Sequence, residues 1–425
     1  MKAPLPFPLK LTSCFLMTGM MTGMMTAANA KEDETNAEPE MTIAKLFKAS
    51  SIDVSGYLDA GYIGHNQMPD PNVQVFDTSK NSFSLNQASI TMSQTPKEGM
   101  GWLVDLIAGS NAGYLCSYGA CSGNNLNPYN STMGSGGNFD PTQAYMQYAT
   151  GPWTLIGGKF NSMSGVEVPN SVADTNITRS ILYGHSPFTH TGVRAVNALT
   201  DATTVTMGVN NGWDQVTGMT SSKTAEFAIN EAFTKDTSLL FDVYSGAETV
   251  PTSLDWAGII PAGTITNMYT ANAGTPFSGI RSGNRTLLDM VFTSNLTQSL
   301  TFILNADHSS QQNVVIGATP NQVGTEVYWG LAAYLNYQIN DQYRVSFRTE
   351  QLKDESGVAV AAPGTLPGPN TVREATLTLG YAPVKDFELR AELRGDRASQ
   401  GIFASSNGTL YQSMVTYGLQ GIYKF

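Results

Sequence analysis

Phe387-Glu388-Leu389-Arg390-Ala391-Glu392-Leu393-Arg394 puts an apolar residue at every odd position and a charge at every even one. A β-strand sends successive side chains to opposite faces, so this segment has one greasy face and one charged face. Tyr343-Arg344-Val345-Ser346-Phe347-Arg348 repeats the pattern, as does Glu374-Ala375-Thr376-Leu377-Thr378-Leu379-Gly380-Tyr381. In Val327-Tyr328-Trp329-Gly330-Leu331-Ala332-Ala333-Tyr334-Leu335 the odd positions are again all apolar. The period of two runs from Ser51 to the end of the chain. A soluble sandwich and a membrane barrel could both be built from such strands. They differ in what the greasy face meets: a second sheet, or lipid.

The connections separate the two. The pattern predicts about sixteen strands, near 52–63, 83–95, 100–110, 141–149, 152–161, 187–198, 202–214, 224–233, 237–247, 284–297, 299–309, 325–339, 342–353, 371–382, 386–397 and 409–425. Short turns such as 96–99, 150–152, 234–237, 340–341 and 383–386 alternate with long Gly/Asn/Ser/Pro segments at 64–82, 111–140, 162–186, 248–283, 310–324, 354–370 and 398–408. Only 215–223 is of middling length. Outer-membrane barrels have short periplasmic turns and longer external loops, and a sandwich has no reason to sort its loops this way. The expected fold is all-β: a transmembrane antiparallel up-and-down β-barrel occupying 51–425.

The N-terminus reads as a secretory signal over 1–30. Lys2 and Lys10 form its basic region, Leu11 to Met25 its uncharged apolar run, and Ala28-Asn29-Ala30 a small-x-small cleavage pattern. The apolar run is shorter than the ~20 residues a helical span needs, and no later stretch approaches that length. Residues 31–50 then read as a periplasmic lead-in, with one short helix around 43–48. Charged residues make up only 13% of the chain, against roughly a quarter in an average soluble domain. The net charge of −11, which becomes more negative once Lys2 and Lys10 are removed, argues against nucleic acid as a partner.

In the last strand Tyr411, Val415, Tyr417, Leu419, Tyr423 and the terminal Phe425 share one parity, broken only by Ser413 and Gly421. A terminal Phe on an alternating strand resembles the signal read by the outer-membrane assembly machinery, so that machinery and outer-membrane lipid are the expected partners.

Several pieces in the middle of the chain occur in a suggestive order: Gln143-Ala144-Tyr145, Gly157-Gly158-Lys159-Phe160, Gly165-Val166-Glu167-Val168, His190-Thr191-Gly192-Val193-Arg194 and Asn211-Gly212-Trp213-Asp214. With the opening Ser55-Gly56-Tyr57-Leu58-Asp59-Ala60-Gly61-Tyr62 they resemble the OmpL-like β-barrel porin-2 family, over roughly 50 to 425 and most densely between 140 and 215. The resemblance implies an outer-membrane barrel with pore activity. It implies no substrate.

No catalytic constellation stands out. His65, His185, His190 and His308 are scattered, and no metal, phosphate-loop, dinucleotide or nucleophile-elbow spacing is present. Nothing asks for a cofactor. Cys116 and Cys121, four apart in a Gly/Asn-rich segment, suit a small structural disulfide in an oxidising compartment better than a metal site.

Function is therefore expected in the lumen. Arg344, Arg348, Arg390 and Arg394 share the polar face of late strands with Glu350, Glu374, Glu388 and Glu392. Two readings stand together: mutual neutralisation that stiffens the wall, or a basic strip along a pore that sets ion preference. Residues 162–186, the third long loop, carry Glu167, Asp174, Arg179 and His185 and are the candidate constriction, an acidic loop facing the arginines across the lumen. A sixteen-strand barrel is too wide for its own side chains to fill. The leading expectation is a porin for passive diffusion of small hydrophilic solutes, and a homotrimer is compatible with its size. The alternatives are an adhesion barrel acting through 111–140 and 248–283, and a membrane-embedded hydrolase.

Overall fold

The computed structural model describes residues 50–70, 73–77, 81–115, 138–218, 221–249, 282–316, 322–360 and 368–425. The signal and lead-in segments, Cys116 and Cys121, and most of the loops 111–140 and 248–283 lie outside these residues. Sixteen antiparallel strands close into one barrel: β1 (Asp53–His65), β2 (Ser82–Gln94), β3 (Gly99–Ala108), β4 (Phe139–Thr150), β5 (Trp153–Asn161), β6 (Thr189–Ala198), β7 (Thr203–Asn210), β8 (Thr224–Thr234), β9 (Thr237–Thr249), β10 (Ser282–Asn295), β11 (Leu300–Val315), β12 (Val323–Gln338), β13 (Tyr343–Asp354), β14 (Asn370–Val384), β15 (Phe387–Ala398) and β16 (Ser413–Lys424). Every strand pairs with its sequence neighbours, and β1 pairs with β16 from Tyr57↔Lys424 to His65↔Thr416. Closure leaves no strand edge unpaired, which is the condition for β-structure in hydrocarbon.

The alternation falls as the sequence pattern requires. Leu389 and Leu393 of β15, Leu377 and Leu379 of β14, Phe347 of β13 and Val415, Tyr417 and Leu419 of β16 are exposed on the outer surface. Arg390, Arg394, Arg348, Glu350, Glu374 and Glu392 point inward and are buried. The greasy parity therefore faces out of a single closed sheet and not into a second one. The apolar outer belt meets lipid without desolvating a polar group. Phe425 completes the belt: its backbone exchanges 2.9 Å hydrogen bonds with Gly56, and its ring lies where any Cβ at that glycine would sit.

One connection is shorter than the pattern predicts. The expected loop 310–324 shrinks to 316–322 because β11 and β12 stay paired beyond a bulge at Gln311/Val314, where Asn313 takes a φ of 62°. The polar Gln311 and Asn313 read as loop residues, yet here they belong to a ladder at the extracellular rim.

Candidate functional site

The segment between β5 and β6, residues 162–188, runs inside the barrel. Its backbone amides have no ladder to join, and buried N–H groups need acceptors. The inward carboxylates supply them. Glu392 of β15 accepts from the amides of Ile177 (2.6 Å) and Thr178 (2.9 Å), and from the Thr178 hydroxyl (2.6 Å). Glu350 of β13 accepts from the amides of Ile181 (2.6 Å) and Leu182 (3.2 Å). Those two amides open the single helical turn α1 (Ile181–Gly184), whose cap Ser180 accepts from Tyr183 N–H at 3.0 Å. A carboxylate at the exposed amides of a helix start is favourable on charge as well as on hydrogen bonding.

Apolar packing holds the same turn. Ile181 and Leu182 are buried with Tyr328, Ala332 and Tyr334 on the inner face of β12. Leu182 sits so close over Gly330 that a Cβ there would collide with it. Tyr183 stacks on Phe188 with ring centroids 4.9 Å apart, and Phe76 of the β1–β2 connection packs at 5.8 Å.

The arginines form the ionic part of the site. Arg348 bonds Glu374 through Nε (2.9 Å) and Glu167 through Nη1 (2.7 Å), and it donates to the Thr178 and Arg179 carbonyls. Arg394 pairs with Asp396 at 2.7 Å and donates to Arg179 O at 2.6 Å. Arg390 pairs with Glu388 at 2.9 Å and reaches Ser171 O at 3.1 Å. Within the loop Arg179 pairs with Asp174 at 2.7 Å. Glu167 thus touches the arginine wall directly instead of facing it across water, and Asp174 is neutralised by its own loop. Burial pushes the Asp174 carboxyl up to about 7, with Arg179 pulling it back. Burial lowers the pKa of His185, whose ring nitrogens lie 2.9 and 3.2 Å from the carbonyls of Ile181 and Ala359.

Side-chain exposure divides the sequence-predicted lumen residues. Arg348, Arg394 and Glu374 are sealed, whereas Arg344 and Glu388, paired at 2.6 Å nearer the periplasmic turns, keep 17% and 16% of their side chains exposed.

A family model described as "Putative beta-barrel porin-2, OmpL-like" matches residues 51–425. The chain belongs to the OmpL-like β-barrel porin-2 family. It is thus an outer-membrane channel protein by family. No curated protein matches it. Among solved structures, the porin is similar to the outer membrane channel DcaP of Acinetobacter baumannii (12% identity, 88% of this chain and 97% of that one covered, TM-score 0.54). It is also similar to OmpT of Vibrio cholerae in its trimer form (10%, 88% and 99%, 0.55), and to an anion-selective porin from Comamonas acidovorans (7%, 88% and 99%, 0.52). At these identities the likeness is one of fold.

Sequence reasoning missed a second wall of the porin. Asp242, Asp289 and Asp307 lie side by side on the inner faces of β9, β10 and β11, Asp289 being directly opposite both others in register. The loop reaches this wall too: Gly165 N–H donates to Asp289 at 3.0 Å and the Ser186 hydroxyl to Asp307 at 3.3 Å. Asp242 and Asp289 stand between apolar outward neighbours, in Phe241-Asp242-Val243 and Leu288-Asp289-Met290, and Asp307 stands between Ala306 and His308. Parity alone places each of them inward, and the register sets them side by side. The four histidines do not converge. His65 and His185 bond loop backbone, His190 stacks on Tyr244 at 4.6 Å, and His308 faces outward. Among the described residues no group of His, Cys, Asp and Glu is arranged to hold a metal ion.

Proposed function

We propose that this porin is a passive channel for small hydrophilic solutes, narrowed by residues 162–188. The observation that carries the reading is the fastening of that loop to the inner faces of β9 to β16, β1 and β2 by hydrogen bonds, ion pairs and packing. A loop tied across the bore from one side sets the free cross-section. The inner wall of β4 and β5, where Gln143, Tyr145, Gln147 and Ile156 are partly exposed, is the side along which solute passes. Arg344 and Glu388 meet the solute at the periplasmic mouth. The sealed arginines hold the loop and act on ions through the field they leave in the bore. The porin assembles as a homotrimer, and Phe425 is the residue that its assembly machinery reads.

Planar-bilayer recording of the refolded full chain tests this. Discrete conductance steps are expected, and Arg344→Gln should move the cation-to-anion permeability ratio toward cations. Deleting 165–184 should raise the unit conductance several-fold. Channels unchanged by the deletion would remove the loop from the conducting path, and no channels at all would overturn the reading.

A further inference from the structure

Arg373 of β14 and Arg397 of β15 are directly opposite each other in the register and both are exposed on the outer face. Like charges directly opposite on a sheet repel. No carboxylate among the described residues pairs with either; Arg373 donates only to Gln351 of β13, at 2.7 Å. Lys353, outward on β13, lies 5.9 Å from the centre of the Trp329 ring and pairs with the exposed Glu355 at 3.2 Å. With Lys353 one outward position further along β13 than Gln351, the extracellular ends of three adjacent strands carry three cations against one acid.

Below the arginine pair the outer wall changes character. The next outward pair is Ala375↔Gly395, flanked by Thr349 and Val415, and a Cβ on Gly395 would meet nothing within 4 Å. Beneath this dip come the exposed pairs Leu377↔Leu393 and Leu379↔Ala391, then the Tyr343–Tyr381 stack at 4.7 Å near the periplasmic turns. From Arg373 to Tyr381 the rise is roughly 20 Å along the membrane normal, for about 3.3 Å per residue and a tilt near 40°. That spans most of an apolar band of about 25 Å, so the arginines sit at its outer border.

We propose that this face of β13 to β15 binds a phosphate-bearing, multiply acylated glycolipid of the outer leaflet. Its phosphate lies between Arg373 and Arg397, and one acyl chain lies in the Ala375–Gly395 dip. Two guanidinium forks match phosphate geometry, and the bound anion removes the repulsion between them. The Ala375–Gly395 dip leaves open space for one acyl chain, which then runs on over the exposed Leu377, Leu393 and Leu379.

Native mass spectrometry of the folded full chain in detergent tests this, with bis-phosphorylated hexa-acylated lipid A as the probe. Wild type should retain one lipid. The exposed pair Arg373→Gln with Arg397→Gln should lose retention roughly tenfold, and Arg373→Lys with Arg397→Lys should keep a substantial part of it. Both variants should show the heat-modifiable mobility of the wild type. Dephosphorylated lipid A should bind wild type as weakly as the Gln variant, and excess inorganic phosphate should leave retention unchanged. Equal retention by wild type and the Gln variant overturns the proposal, as does displacement by inorganic phosphate alone. Dissociation of an oligomer in the Gln variant with lipid retention intact would assign the pair to a contact between protomers and overturn it too.

Discussion

Two walls of the barrel hold the same loop by different means. On β13 to β15 arginines and carboxylates interleave, and the loop joins the network through Glu167, the Arg179 carbonyl and amides given to Glu350 and Glu392. On β9 to β11 three aspartates stand in a row, and the loop offers one amide and one hydroxyl. The arginine of that wall, Arg285, lies two inward positions further along β10 and stacks on Trp213. The difference shows what an alternating charged face can be for. Inward charges on the first wall are anchors for backbone and for one another, and all but Arg344 and Glu388 at its periplasmic end are shut away from water. On the second, like charges sit side by side and raise the cost of burial.

Removing one anchor from the first wall should have the largest effect. Arg348→Ala leaves Glu167 buried without its counter-ion and Glu374 with only Arg394 at 3.9 Å, and strips donors from two loop carbonyls. Breaking a buried pair from one side costs about 3–5 kcal/mol. Urea unfolding of the refolded porin should show that loss, and a drop under ~1 kcal/mol would mean the wall is wet. Replacing the pair by a packed apolar group is a different experiment, and can be neutral, because the desolvated network is costly to break more than it is stabilising.

A carboxylate beside that wall that lacks a hydrogen-bonded partner sharpens the contrast. Asp77, in the β1–β2 connection, has neither oxygen hydrogen-bonded among the described residues, and burial raises its pKa from 3.8 to about 7 despite the nearby Arg394. Its folded value lies above its unfolded one. The stability it lends is therefore complete below about pH 4 and is lost as pH climbs to about 7. Above that the charged form costs up to about 4 kcal/mol. Asp77→Asn should recover roughly 2 kcal/mol at pH 8, change little at pH 4, and flatten thermal stability between them. Equal gains at both pH values would show that Asp77 is ionised throughout.

The barrel was legible because it is written twice, in the parity of strands such as Phe387–Arg394 and in the sorting of short from long connections. The inward course of 162–188 was half legible. Tyr328, Gly330, Ala332 and Tyr334 are apolar or small on the lumen parity of β12, which a wet wall would not need; they are the seat of Ile181 and Leu182. The arginine residues could be named but their burial could not, since parity says which face a side chain takes and not what covers it. Asp242, Asp289 and Asp307 were passed over because no strand shows more than one of them, and their adjacency appears only once three strands are paired in register.

The smallest expected effect bears most directly on the second wall. Asp242 is fully buried, neither of its oxygens has a hydrogen-bond partner among the described residues, and it stands opposite Asp289, which Asn305 and Gly165 already satisfy. Asp242→Asn keeps the shape, removes one of three neighbouring carboxylates and adds a donor that can turn toward Asp289. Relief of a like-charge cross-strand pair is worth roughly 0.2–1 kcal/mol, so the variant should unfold slightly later than wild type, the opposite sign from Arg348→Ala on the arginine wall. Double-mutant cycles with Asp289→Asn should show coupling, because the two share one repulsion. A loss of more than ~1 kcal/mol in Asp242→Asn would mean that the row coheres through a proton shared between carboxyls, and both walls would then hold their acids by bonding and not by tolerance of repulsion.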